Sequence, residues 1–184
     1  MWTVSNMIRS LGIVFCLFVG GGLYGQSYLG HASKPANLRS GPSTEYDKLL
    51  TAQPGDNLFI YDAQIDGDFY KVIHIATNTE GFVHRSLVRL DTPSAANSGG
   101  LFIPTGRTAS YRSDLEVFNN TELTLTLKMN GRTYVFSPKE RNTLELGPGS
   151  YSYVASAPGV VPDHGTERID SGTSYSWQFY IVTR

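Results

Sequence analysis

Hydrophobic and polar positions along this chain alternate with a period of two. Leu123, Leu125, Leu127 and Met129 fall on one side, with Thr124, Thr126 and Lys128 on the other. Tyr151, Tyr153 and Ala155 alternate with Ser150, Ser152 and Val154, and Tyr175, Trp177, Phe179 and Ile181 share a face. Side chains of an extended strand point to opposite faces in turn, so each run predicts a half-buried strand. Asn130-Gly131, placed before Thr133–Phe136, is the strongest short-range signal for a hairpin. Leu144 and Leu146 precede a Gly147-Pro148-Gly149 turn. About seven strands at a spacing of roughly ten residues predict a β-sandwich over 110–184.

The preceding stretch has shorter strands. Leu49–Ala52, Asn57–Ala63, Phe69–Ile75, Gly81–Val83 and Leu87–Leu90 are separated by Pro54-Gly55-Asp56, Asp66-Gly67-Asp68 and Ala76–Thr79. Five strands in so short a span predict a small barrel over 34–90. Between the two units, 91–109 is rich in Pro, Gly, Ser and Thr and reads as a linker, in which Leu101-Phe102-Ile103 can dock as a short strand. Neither unit has a long run of period 3.6, so the expected class is all-β.

Residues 1–25 stand apart. Arg9 precedes the apolar run Leu11–Gly20, and Gly25 suits cleavage before Gln26. A run of about ten residues is too short for a membrane span and reads as a secretory signal peptide. The expected location is therefore secreted or periplasmic, with no stable membrane span after cleavage. Cys16, the single cysteine, lies in this segment, which removes disulfides and thiol chemistry from the mature chain.

Composition adds mainly exclusions. The net charge is −1 with 17% charged residues, evenly mixed within each unit, so no basic footprint for nucleic acid is present. No G-x-S-x-G elbow, H-E-x-x-H pair, phosphate-binding glycine loop or calcium-loop pattern occurs, and no catalytic residue, metal site or cofactor is expected. His31 falls in a segment expected to be flexible, and His74 reads as a strand histidine. Asp163-His164, in the expected loop Ala157–Gly165, is the one pair that invites a hydrolytic reading, yet no nucleophile motif accompanies it. Asn119-Asn120-Thr121 is a formal glycosylation sequon.

Three blocks in the first unit carry a resemblance. Ala36-Asn37-Leu38-Arg39-Ser40-Gly41-Pro42-Ser43-Thr44 comes first, followed by Asp68-Phe69-Tyr70-Lys71-Val72 and Gly81-Phe82-Val83-His84. In order and spacing they resemble the bacterial SH3 domain family, with Phe69 and Phe82 at positions usually held by Trp. Asn37, Arg39, Ser40, Gly41, Pro42 and Gly81 are the matching fold-motif residues, Arg39 being expected to bond carbonyls of the turn. Tyr70 and Val72 are expected in the core. The resemblance implies a cell-wall-targeting or protein-interaction module. The candidate ligand-binding residues are an exposed aromatic rim, Tyr46, Tyr61, Phe69 and Phe82, with Asp66 and Asp68 beside it, since flat aromatic faces near carboxylates suit sugars or an extended peptide. The Gly147-Pro148-Gly149-Ser150-Tyr151 block loosely resembles Ig-like or carboxypeptidase-regulatory sandwich modules.

The expectation is thus an exported, non-enzymatic binding protein whose SH3-like module recognises peptidoglycan or an envelope protein. The alternative is a structural or interaction subunit of an envelope assembly, with Tyr134, Phe136 and Tyr180 of the sandwich as its interface.

Overall fold

The computed structural model describes residues 26–61 and 67–181. The signal-peptide segment with Cys16 and the turn residue Asp66 fall outside the described residues. Among those described there are fifteen strands, one short 3-10 turn (Arg85–Leu87) and no α-helix, so the fold is all-β. No helix among them is long and apolar enough to cross a membrane.

The first unit is one antiparallel sheet of seven strands. They are β1 (Tyr28–Ala32), β2 (Ala36–Arg39), β3 (Lys48–Ala52), β4 (Asn57–Ile60), β5 (Phe69–His74), β6 (Thr79–His84) and β7 (Val88–Pro93). Their order is β3-β2-β6-β5-β4-β1-β7. The sheet curls until its two ends share a core, with Ala52 and Leu50 of β3 in the same cluster as Ala32 of β1 and Val88 of β7. The inward set is Ala36, Leu38, Leu58, Ile60, Val72 and Val83, with Tyr70 packed against it. Strand β1 corrects the reading of His31 as part of a flexible segment. Its Nδ1 lies 2.8 Å from an Asp91 carboxylate oxygen on the neighbouring β7. His74 is buried and satisfied, between Thr77 Oγ1 at 2.8 Å and the Asp56 carboxylate at 3.2 Å.

The second unit packs two four-stranded sheets face to face. One has the order β12 (Arg141–Leu146), β9 (Ser113–Asn119), β15 (Thr173–Phe179) and β8 (Ile103–Arg107). The other runs β11 (Arg132–Phe136), β10 (Leu125–Met129), β13 (Gly149–Ala157) and β14 (Val160–Ile169). Leu115, Val117, Trp177 and Phe179 from the first meet Leu125, Leu127, Met129, Tyr153 and Ala155 from the second. The Asn130-Gly131 hairpin forms as expected, both residues taking the positive φ (45° and 81°) that a two-residue primed turn requires.

Four readings change here. The segment 91–109 is strand at both ends: β7 runs to Pro93, β8 pairs with β15, and Phe102 is buried in the sandwich core. His164 lies within β14 and not in a loop, because Val160–Ile169 pairs with β13 along most of its length. Phe136 is buried, since the β11 alternation turns it and Tyr134 towards the core; of the three proposed interface aromatics only Tyr180 is strongly exposed. Asn119 is also buried, its amide nitrogen donating to the carbonyls of Leu123, Phe136 and Ser137 at 2.8–3.2 Å, so the sequon nitrogen is committed to the fold.

Candidate binding cleft

The barrel has a second apolar face. Phe59 and Ile73 alternate with the inward Leu58, Ile60 and Val72, so they point outward, and with Ile75 they form a separate buried cluster. Leu29, Tyr61 and, from the sandwich, Val154 pack against it. Val154 is the apolar residue in the otherwise polar series Ser150, Ser152, Ser156 on the outer face of β13. The His164 ring, across from Val154 in the ladder, meets Phe59 edge-to-face at 5.1 Å. Asn78 Nδ2 donates to Thr126 Oγ1 at 3.2 Å, and Gly159 N–H to the Ile75 carbonyl at 2.8 Å. The units are thus joined by an apolar contact with hydrogen bonds around it.

A charged cluster borders this joint. The Tyr61 hydroxyl donates to Glu80 Oε2 at 2.7 Å, Lys71 Nζ lies 3.2 Å from Oε1, and Lys128 of the sandwich pairs with Oε2. Both ammonium groups also stand over the Tyr61 ring, 5.4 and 6.0 Å from its centroid. Burial acts to raise the Glu80 pKa, but the hydrogen bonds from Lys128 and Tyr61 and the lysine charges outweigh it and hold the carboxyl below its usual range. Burial, then the Glu80 charge, pushes the Tyr61 phenol far up, so it stays a neutral donor.

Beyond the joint the two units diverge and leave a cleft of about 1190 Å³. Its floor is the uncovered part of the β10–β13–β14 face: Lys128, Ser150, Ser152, Thr166 and Arg168. Tyr61, Lys71 and Ser27 form the barrel wall. Residues 94–100 form another side, fastened where Asn97 N–H donates to the His164 carbonyl (2.8 Å) and Thr166 N–H to that of Asn97 (3.1 Å). Glu167 reinforces the strap by accepting from the N–H groups of Gly100 and Leu101 at 3.1 and 2.9 Å. Asn97 Nδ2 further donates to Asp163 at 2.5 Å. Burial raises the Asp163 pKa despite that bond, and burial lowers the pKa of His164 against the pull of Asp163. Asp163 and His164 are neighbours on a paired strand, and among the described residues no group of three or more His, Cys, Asp or Glu could hold a metal ion.

The family model described as bacterial SH3 domain matches residues 34–89. Residues 34–89 form a bacterial SH3 domain. No curated protein and no solved structure matches the chain.

The SH3 domain explains its own motif. Arg39 Nη1 donates to the Tyr46 carbonyl at 2.8 Å, and Thr51 Oγ1 donates to Asn37 Oδ1 at 2.8 Å. Ser40 N–H closes the turn onto the Asp47 carbonyl at 2.9 Å. A Cβ on Gly41 would stand 2.6 Å from the Tyr46 ring, and one on Gly81 2.8 Å from the Arg39 carbonyl oxygen.

The predicted rim is only partly assembled. Arg39, Phe82 and Lys71 are cross-strand partners, and Tyr61 follows through its N–H bond to the Lys71 carbonyl. Tyr46, Arg39, Phe82, Lys71 and Tyr61 thus form a row over the outer face of the SH3 domain, ending in the cleft. Tyr46 is exposed and Phe82 half-buried, but Phe69 is buried, edge-on to His84 at 5.3 Å. Asp68 lies outside the row and pairs with Arg85 at 3.1 Å. Of the five candidates among the described residues only Tyr61 lines the cleft. The floor residues were missed because their signal is faint: a serine-rich strand face interrupted by Val154, which marks where that face is covered.

Proposed function

We propose that this is an exported, non-catalytic binding protein that holds cell-wall peptidoglycan in the cleft between its SH3 domain and its sandwich. The observation that carries the reading is the cleft floor. Among the described residues, the hydroxyls of Ser150 and Thr166 donate to no protein group, and they lie on a strand face bordered by the Tyr61 ring and three cationic side chains. Sugars present hydroxyl edges and C–H faces, which such hydroxyls and a flat ring complement. A protein partner is more typically met by an apolar patch core than by this floor. The family supports the same direction, since bacterial SH3 domains commonly bind peptidoglycan or proteins.

Co-sedimentation with purified sacculi tests it, comparing wild type with Ser152→Trp, which fills the floor. Retention at low salt is expected for wild type and a clear loss for the variant, with unchanged thermal midpoints. Absence of wild-type retention sinks the proposal, and equal retention of the variant removes the cleft as the site.

A further inference from the structure

We infer that the cleft selects a glycan bearing a carboxylate, seated against Lys71 and Lys128 at its Tyr61 end; this rests on the cleft being the binding site. Two ammonium groups converge there on one carboxylate. Glu80 has spent both oxygens, Oε1 on Lys71 and Oε2 on Lys128 and the Tyr61 hydroxyl. Each ammonium carries three N–H donors. Neither lysine pairs with a second acid among the described residues, which give the cluster one surplus positive charge.

That surplus faces the ligand. Lys71 and Lys128 both line the cleft while Glu80 does not, which places the compensating carboxylate behind the two cations. The remaining charges in the cleft are committed elsewhere. Arg168 pairs with Asp170 at 3.3 Å, and Glu167 is spent on the backbone of the strap. The positive end is therefore local and distinct from the hydroxyl floor. Lys71 comes from the SH3 domain and Lys128 from the sandwich, so the subsite exists only while the units are joined. A neutral polysaccharide would use the floor and leave the surplus charge of the lysine pair uncompensated, whereas an acidic one engages both.

The test is an NMR titration of the full-length protein with a four-sugar strand of alternating N-acetylglucosamine and N-acetylmuramic acid, whose lactyl groups carry carboxylates. The comparison ligand is the methyl ester of the same strand, which keeps its bulk and loses its charge. Saturable shifts of the Ser150, Ser152 and Thr166 amides are expected with the acid. Affinity should fall about tenfold for the ester and for Lys128→Gln, as loss of a charge-assisted contact predicts, and recover in Lys128→Arg. Lys71→Gln should behave as Lys128→Gln, and Lys139→Gln, on an unrelated Glu122 pair, as wild type. Equal affinity for acid and ester, or wild-type affinity in both Lys71→Gln and Lys128→Gln, overturns the carboxylate selection while leaving the cleft as a glycan site. Absence of floor shifts with either ligand overturns both readings.

Discussion

Phe59→Ala isolates the contact that makes one body of two units. Phe59 is fully buried outside the main SH3 core, in the cluster that Val154 closes from the sandwich side. Truncating a buried Phe costs about 3–5 kcal/mol, because apolar transfer is lost and a cavity remains. Its ring also makes two edge-to-face contacts, with Tyr61 at 5.6 Å and His164 at 5.1 Å. The loss of such pairs is already contained in measured truncations of buried Phe, so the expected loss is about 4 kcal/mol, the middle of that range. Part of that loss is borne by the joint itself, so the two units should also unfold less cooperatively. Urea unfolding read by two probes measures both effects. Trp177, in the sandwich core against Phe102 and Phe179, reports that unit by fluorescence, and far-ultraviolet circular dichroism reports both units. In wild type the two curves should coincide; in Phe59→Ala the dichroism should begin to fall at lower urea than the fluorescence. Coincident curves shifted by less than about 1 kcal/mol, below the range for a closed core, would refute the reasoning.

Three other outcomes follow from the same structure. His164 is buried, its Nδ1 has no hydrogen-bond partner among the described residues, and its folded pKa lies below the ordinary 6.5, so below that pH the unfolded chain binds a proton that the folded one refuses. Stability should therefore decline as pH falls through 6.5 and level off once the folded form also protonates; a midpoint series in which His164→Gln keeps the wild-type slope there would contradict this. Gly165→Ala would bring a Cβ within 2.2 Å of the Asn97 carbonyl oxygen, releasing the 94–100 strap and two hydrogen bonds at about 0.5–1.5 kcal/mol each, with faster limited proteolysis in that segment as the readout. Asn119→Ala leaves three carbonyls without their shared donor, and at about 1–3 kcal/mol for a buried unsatisfied group it should lower the midpoint of the sandwich markedly; mass spectrometry after secretion from a glycosylating host should find Asn119 unmodified in wild type.

Much of the fold could be read from one dimension because the signals are local. The alternation of Leu125, Leu127 and Met129 is the burial pattern of β10, and Tyr175, Trp177 and Phe179 are the buried positions of β15. Asn130-Gly131 specified its turn through the backbone conformations those residues tolerate. The histidine misreadings have different causes. His31 gained order from β7, a partner distant in sequence, whereas His164 lies in a hairpin with β13 whose tight turn at Pro158-Gly159 reads as part of a loop. Nothing near His31 announces its partner.

The order of strands, the turn chemistry and the three SH3 motif blocks are properties of short segments, so the sequence alone determined that this is an all-β chain with an SH3 domain at its front. The cleft belongs to tertiary structure. Phe59 and Ile73 look like ordinary core residues in a strand hydrophobic on both faces, and Val154 looks like a chance apolar residue among serines. Only docking shows that these residues bury one another, and the same docking brings Lys128 to the Glu80 carboxylate that Lys71 already pairs within the SH3 domain. Packing between faces depends on shape and on apolar area from separate segments, and no periodicity within either segment encodes it.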